Sequence, residues 1–542
     1  MPKRTNGKQK ANTNGNGTIS ELLKELWNSA VALRGAVEPS DYKRYVLPLI
    51  FLRFLSLRYE KRRAELEEYT RDPQNDLFTE DEATRADILE DEDEYKKVGA
   101  LIVPEPARWE TIVKNARADD VMIRLDSALE LLETKYPKLK GMLPKVYAGS
   151  NLSRENLAQL INLFSKDIFK REHGGIDVIG RVYEYFIGEF ASSEGKRGGE
   201  YFTPQSIVKL LVAMLEPTGG KVFDPCCGSG GMFVQSDKFT KHSGKLSFYG
   251  QESKDFTYRL CRLNLFIHGI DGDIKLGNSY FNDLHPTLTA DYIIANPPFN
   301  DGSKGEHGWG SHLVKKDDQR LLKQNGDSVG LAAKNANFMW MMHFLYHLKE
   351  GGTAGYVMAN GAMSTSTKEE RAARIALIEG GFVDCIVQLP EKLFANTGIP
   401  CSLWFLSKNR EGNAEFRQRE DEILFIDSRR RGALMEGSRK QKEFTDEEIA
   451  EIAAIYQNFR KASGSYENIK GFCAVANLES VRVNDYVLTP GRYVGTEDIE
   501  DDGVPIEEKF QKLAQHLEDQ FNESGKLEKA IRENLAMLKA AM

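Results

Sequence analysis

The stretch Asp291-Tyr292-Ile293-Ile294-Ala295-Asn296-Pro297-Pro298-Phe299 anchors the reading of the chain. Its first five residues are a short run rich in β-branched and aromatic side chains, which suits a strand buried in a parallel sheet. The next four make a rigid turn at the strand's end. Two prolines fix φ, and each pushes the residue before it into extended backbone. The Asn296 amide and the neighbouring carbonyls are thereby held in one direction, which sets two acceptors side by side for an exocyclic NH2 group. Phe299 supplies a flat face for a planar ring. A strand ending in a Pro-Pro turn over a core phenylalanine accounts for the same letters, and four residues alone do not choose between the two readings.

A chain of 542 residues is too long for one core and implies about three domains of roughly 150 residues. The formal net charge of -8 excludes a chain that coats nucleic acid unaided, because nonspecific affinity comes from neutralising phosphates. Any DNA contact is then local or shared with a partner. The six cysteines, Cys226, Cys227, Cys261, Cys385, Cys401 and Cys473, form no paired CxxC pattern and mostly sit in apolar stretches, as reduced core residues of a cytoplasmic protein do. No metal site is expected. The longest apolar run, Tyr45 to Leu55, is interrupted by Pro48 and Arg53 and falls short of the roughly 20 residues of a membrane span. With no signal peptide ahead of it, no membrane role is expected.

Residues 1–17 are almost without apolar content and are expected to form a flexible, mildly basic tail. Thr18 and Glu21 can form a capping box, followed by Leu22, Leu26, Ala30 and Leu33 at helical spacing. Pro39-Ser40-Asp41 launches a second helix, and the acidic run Glu90 to Glu94 reads as a solvated loop. Residues 18–165 thus form an expected all-helical domain. From 166 to 480 the texture is α/β, with candidate strands at 221–224, 246–250, 274–276, 292–295, 353–358, 383–389 and 401–406. Seven strands suffice for a doubly wound sheet. The last two are joined by a loop holding Asn396-Thr397-Gly398, too short for an ordinary helix, so they are expected to pair antiparallel at the sheet edge. A further strand at Ile423 to Ile426 leads to the basic turn Ser428-Arg429-Arg430-Arg431, and Thr445 with Glu448 forms a capping box for a helix stapled by Phe444 and Ile449. Residues 481–542 comprise a linker, acidic around Glu497 to Pro505, and helices carrying Ile506, Phe510, Leu513, Leu517, Phe521, Leu527, Ile531 and Leu535. Ser524-Gly525 is expected to separate two helices or kink one.

The strand at Lys221 to Phe223 runs into Asp224-Pro225-Cys226-Cys227-Gly228-Ser229-Gly230-Gly231 and then a helix start. Glycines at such a turn let a ligand approach the backbone, and the helix N-terminus favours an anionic group such as a carboxylate. The spacing matches neither GxGxxG nor GxxxxGK[ST], so neither a nicotinamide site nor an ATPase is expected. The next strand ends at Glu252, where such folds accept bonds from ribose hydroxyls. Upstream, Gly198-Gly199-Glu200-Tyr201-Phe202-Thr203-Pro204 precedes a helix and offers groups to close over the amino-acid end of a cofactor.

Taken in order, Gly-Glu-Tyr-Phe-Thr-Pro, Asp-Pro-Cys-Cys-Gly-Ser-Gly-Gly, Tyr-Gly-Gln-Glu and Asn-Pro-Pro-Phe resemble the motifs of S-adenosylmethionine-dependent adenine-N6 DNA methyltransferases. More closely, most of the chain resembles the modification subunit of Type I restriction-modification systems. The resemblance implies an α/β methyltransferase fold, Rossmann-like with seven strands and an antiparallel edge hairpin, an N-terminal helical domain and C-terminal helices. It implies S-adenosyl-L-methionine as cofactor, with Glu200, Tyr201, Phe202, Thr203 and the turn Asp224, Gly228, Ser229, Gly230 around the methionine part and Glu252 on the ribose. Asn278 stands where the family commonly has Asp, and would accept from the adenine amino group of the cofactor. Asn296, Pro297, Pro298 and Phe299 would receive an adenine flipped out of duplex DNA. Phe394 is either a second stacking aromatic or a core residue. The stretch Asn300 to Lys316 is a loop that orders on DNA or a plain solvated loop. Implied partners are double-stranded DNA, a specificity subunit, a second copy of the chain and a restriction/translocase subunit. A methyltransferase of protein glutamine or RNA, and a scaffold that binds cofactor and DNA without turnover, stay open at this point.

Overall fold

The computed structural model describes residues 15–35, 37–166, 175–194, 203–300, 317–324, 327–329, 335–394, 400–435, 441–496 and 506–541. Its contacts divide the chain into two units, residues 1–494 and 495–542.

The first unit holds two apolar clusters. One is helical: α1 (Gly15–Ala32), α2 (Pro39–Tyr69), α3 (Val121–Lys135), α4 (Arg154–Leu163) and α5 (Gly175–Glu194) bury one face each, with Leu26, Phe51, Leu129, Leu160 and Phe186 at 0% exposure. Trp27 meets Phe186 and Phe190 edge-on at 5.2 and 4.8 Å, the arrangement aromatic quadrupoles favour. The cluster continues onto Leu260, Leu263 and Ile267 of α8 (Asp255–Ile267), so the helical region is welded to the α/β region through one helix face. The helix α1 begins at Gly15, so Thr18 lies inside its first turn and does not cap it; residues 1–14 of the expected tail lie outside the described residues. The acidic run is not a solvated loop throughout. Glu92–Lys96 is a short helix capped by Asp91, and Glu94 is 7% exposed, bonded at 3.0 Å to the buried Arg62 guanidinium of α2.

The second cluster surrounds a nine-stranded sheet: β1 (Gly220–Asp224), β2 (Leu246–Glu252), β3 (Gly272–Leu276), β4 (Ala290–Ala295), β5 (Leu348–Ala359), β6 (Val383–Gln388), β7 (Cys401–Ser407), β8 (Glu422–Asp427) and β9 (Cys473–Asn477). In these labels the order across the sheet is β9-β8-β6-β7-β5-β4-β1-β2-β3. The strands β1 to β6 and β8 run in one direction, and β7 and β9 oppose them. All seven expected strands are present, and the fold class is the expected one. The antiparallel pair, however, does not form the edge: β7 lies between β5 and β6, and β8 and β9 extend the sheet beyond them. The extension is held by Asp384 of β6, fully buried, which accepts from Arg419 at 2.9 and 3.0 Å and from the Tyr456 hydroxyl at 2.8 Å. Burial works against its charge, but Arg419 and Arg410 outweigh burial and hold the carboxyl below its ordinary value.

Helices cover both faces. The helix α9 (Asn337–His347) is buried on nearly every side, as expected of a helix without a polar face. The helix α10 (Asp446–Arg460) starts with the Thr445–Glu448 capping box, with Phe444 and Ile449 both buried. Its Gln457 and Arg460 side chains donate to Met214 and Leu215 carbonyls at the end of α6 (Gln205–Leu215), supplying partners that a helix C-terminus lacks. Among the described residues no helix is long and apolar enough to cross a membrane. No disulfide joins any of the six cysteines among the described residues.

The described residues of the second unit hold one helix, α11 (Ile506–Ala541). Ser524-Gly525 does not break it, since one glycine among strong helix formers costs only about 1 kcal/mol.

Candidate active site

Asp224 ends β1, Glu252 ends β2, Gly277 and Asn278 follow β3, and Asn296 follows β4. These strands are parallel, so the four positions share the carboxyl edge of the sheet, where open α/β folds bind ligands.

At the glycine turn, Gly228 and Gly230 have φ of +53° and +78°, a region that L side chains avoid. A Cβ on Gly230 would lie 2.9 Å from the Cys261 sulfur, whereas Gly228 and Gly231 face open space. Ser229 is held from behind, its carbonyl accepting from Asn264 Nδ2 at 2.8 Å. Asp224 is 2% exposed and accepts the Cys226 amide at 3.0 Å. Burial pushes its carboxyl up to about 7; the Cys226 bonds oppose the rise and the nearby Glu252 charge adds to it. Glu252, 8% exposed, accepts from Gly228 N at 3.1 Å and from Lys254 N at 2.9 Å. The carboxylate expected to read a ribose therefore also clamps the glycine turn, and it accepts from the Ser253 hydroxyl at 3.3 Å as well.

Asn278 is half-buried, and its Oδ1 accepts the Tyr280 amide at 2.9 Å, so it shapes the turn after β3. Residues that sequence reasoning missed fix that turn to the site. Ser279 Oγ donates to Pro225 O at 2.6 Å. Arg320, paired with Asp318 at 2.7 Å, donates to the Ser279 and Tyr280 carbonyls at 2.7 Å each. No local motif marks these residues, because their partners lie about 40 positions or more away in sequence.

At the second turn, Asn296 Nδ2 donates to Thr203 Oγ1 at 2.8 Å. Thr203 thus meets the Asn-Pro-Pro-Phe turn directly. The Cys226 thiol, pushed well above its ordinary value by burial and then by Asp224, lies against the Asn296 backbone and so joins the two turns. Phe299 is 8% exposed and packs in the sheet cluster. Beyond it Asn300 has φ of +53°. Its amide donates to Asn337 Oδ1 at 2.9 Å, and its Oδ1 accepts from Asn337 Nδ2 at 3.0 Å and Asn335 Nδ2 at 3.3 Å. This clasp fixes the exit of the turn to the start of α9; the Asn-Ala-Asn run before that helix was its only sequence signal. Phe394 is 7% exposed in the same cluster. Glu200, Tyr201, Phe202 and residues 301–316 lie outside the described residues.

Among the described residues one group has metal-ligand chemistry, Asp283, His343 and His347, with ligand atoms within 4.8 Å of one another. Most of its atoms are committed within the protein: His347 Nδ1 donates to Leu288 O at 2.8 Å, its Nε2 meets Asp283 at 2.9 Å, and the Arg320 guanidinium faces His343 Nδ1 at 3.3 Å, while His343 Nε2 is buried without a hydrogen-bond partner.

A glycine turn and an Asn-Pro-Pro-Phe turn on one carboxyl edge, over a sheet with an inserted antiparallel strand, define the class: a methyltransferase of amino nitrogen. The family described as N-6 DNA Methylase matches residues 174–502, and the HsdM N-terminal domain matches residues 22–164. The chain belongs to the methylase subunits of Type I restriction enzymes, within the N-6 DNA methylase family. It is 42% identical over 524 residues to the MjaIX methylase subunit of Methanocaldococcus jannaschii, covering 96% of this chain and 91% of that one. It is 41% identical over 463 residues to the HindI methylase subunit of Haemophilus influenzae, covering 80% and 99%. The crystal structure of the type I restriction-modification methyltransferase subunit from Streptococcus thermophilus superposes with a TM-score of 0.71 at 26% identity, covering 88% and 100%.

Proposed function

We propose that the chain transfers a methyl group from S-adenosyl-L-methionine to the N6 of an adenine flipped out of duplex DNA, at a site chosen by a specificity subunit. The observation that carries this is the Asn296–Thr203 bond at 2.8 Å. With the NH2 side of the amide tied to Thr203, the oxygen is presented on the other side, oriented as an acceptor before any substrate arrives.

The cofactor site fits the group. Asp224 and Glu252 are both buried carboxyls on adjacent strand ends, and each makes the other's charge more costly; a ligand with positive sulfonium and ammonium groups relieves that. Gly228 and Gly231 leave open space at the backbone. S-Adenosyl-L-methionine supplies, when bound, a methyl carbon already activated for in-line displacement, so what remains for the protein is position. Asn296 Oδ1 and the Pro297 carbonyl accept the two N6 protons of the base, which raises electron density on the nitrogen and aims its lone pair. Phe299 stacks on the ring, and Phe394 is the candidate for its other face. Flipping costs a few kcal/mol, which these contacts and the partner's grip on DNA offset.

As partners we propose double-stranded DNA, a specificity subunit, a second copy of this chain and a restriction/translocase subunit. The helix α11 presents Phe510, Leu513, Leu517, Phe521, Leu527 and Ile531, each more than half exposed, a stripe suited to a helical partner.

Replacing Asn296 with Ala tests the reading. N6-methyladenine formation, read by mass spectrometry on DNA treated with the assembled complex, is expected to fall at least about a hundredfold, while cofactor affinity stays near wild type. Retention of more than roughly a tenth of the activity would count against the assignment.

A further inference from the structure

The carboxyl edge of the sheet continues past Asn296, and there the ends of β5, β6 and β8 enclose a cleft of about 340 Å3. That volume lies within the roughly 300–1,000 Å3 of small-ligand sites. Its lining includes Asn360, Gln388, Glu391, Lys392, Arg429 and Lys442. None of these belongs to the glycine turn or the Asn-Pro-Pro-Phe turn, Glu391 and Lys392 lie in the loop that leads to Phe394, and Arg429 comes from the basic turn that the methyl-transfer chemistry leaves unused.

Two carboxamides carry the inference. Gln388 ends β6 and is 8% exposed. Its backbone carbonyl is taken by Ser428, whose amide and hydroxyl donate at 3.0 and 2.6 Å, yet its side-chain Oε1 is buried with no hydrogen-bond partner. Asn360 follows β5, with its backbone amide held by Pro400 O at 3.0 Å, and its Oδ1 is likewise buried and unpartnered. Buried acceptors are normally bonded. Two in one cleft point to a ligand that donates to both. The mouth is cationic: Lys392 and Lys442 have no carboxylate partner among the described residues, whereas Arg429 is held by Asp427 at 2.8 and 2.6 Å. Glu391 is the one carboxylate among the described lining residues.

We propose that this cleft holds a second nucleotide of the DNA, outside the target pocket. The amino group of its base, released from its Watson–Crick pair, donates one hydrogen to Gln388 Oε1 and one to Asn360 Oδ1, and its phosphate lies on Lys392 and Lys442. The proposal rests on the DNA reading of the catalytic edge and adds a contact that reports amino-bearing bases over thymine.

The test uses the full chain assembled in its complex, with duplex DNA binding followed by anisotropy at several salt concentrations and folding checked by thermal melting. The double variant Lys392→Ala/Lys442→Ala is expected to lower the slope of log affinity against log salt by about 1, for the one phosphate the two lysines share. Gln388→Met is expected to weaken binding about tenfold with the slope unchanged. Lys392 is exposed and Lys442 half-buried, so that arm stands even if the Gln388 variant folds poorly. Wild-type affinity and slope in both variants would overturn the proposal and leave the cleft to water. A free nucleotide is distinguished by titrating dCMP and dTMP into the Asn296→Ala chain, with and without Gln388→Met. Loss of dCMP binding alongside intact DNA binding would overturn the DNA assignment in favour of a free nucleotide. N6-Methyladenine formation by the wild type is read in parallel. Its absence, with the salt slope still changed in the lysine variant, would sink the reading of Asn296 and leave the cleft's DNA contact standing.

Discussion

Asp224 is a carboxyl taken almost wholly out of water, at 2% exposure, and burial raises it to about 7 from an ordinary 3.8. The folded protein therefore keeps a proton there that the unfolded chain has released. This contribution to stability is fully present below about pH 3.8 and is lost as the pH rises through about 7. The cofactor-free protein is expected to melt at progressively lower temperature between about pH 4 and 7, and Asp224→Asn is expected to flatten that decline, because the amide oxygen keeps the Cys226 bond without the charge. Scanning calorimetry across the range checks it, and parallel curves for the two proteins would show that the carboxyl titrates near its ordinary value. The same residue scale explains the Asn300 turn. A non-glycine residue at φ of +53° is tolerated because Asn is the side chain best suited to that region, and Asn335 and Asn337 bind it there.

At the scale of elements, the short helix Glu92–Lys96 is pinned to α2 by the Arg62–Glu94 pair at 3.0 Å, with both side chains nearly buried. Lys97 also contacts Glu94, and Arg62 keeps bonds to Glu65 and to the Glu94 carbonyl. Removing one partner of a buried pair leaves the other charge uncompensated, at a cost of about 3–5 kcal/mol; the remaining Arg62 bonds put Glu94→Ala near 3. Urea unfolding is the measurement. A change within the roughly 0–1 kcal/mol of an exposed pair would show that solvent reaches Arg62. The sheet shows the same dependence on distant partners, since β8 and its neighbours are held by Asp384, Arg419 and Tyr456, which lie 35 or more residues apart in sequence from Asp384.

At the scale of the whole molecule, the division after residue 494 separates the catalytic unit from α11. Phe510 and Phe521, at 73% and 68% exposure, cost free energy in water and are expected to be covered in the assembled enzyme. Deleting residues 504–542 is expected to leave S-adenosyl-L-methionine binding and the thermal transition of the isolated chain unchanged, and to abolish stable assembly with the specificity subunit and site-specific methylation. Calorimetry and analytical ultracentrifugation check both. A sharp drop in the transition of the truncated chain would show instead that the stripe is covered by its own protein.

The sequence by itself determined the elements whose signals are local. Short apolar runs marked β1 to β8, the capping box at Thr445 marked α10, and prolines and glycines marked the turns at Asn296 and Gly228, because turn chemistry acts over a few residues. It did not show that Ser524-Gly525 would stay helical, since the same pair is compatible with a break. Only the tertiary structure decided that β7 enters between β5 and β6, that β9 closes the sheet, that Glu94 is buried, that Thr203 bonds Asn296, and that Ser279, Arg320 and Asn337 hold the site. Strand order and polar partnership depend on which distant segments share a surface, and a buried carboxylate or amide is written with the same letter as an exposed one.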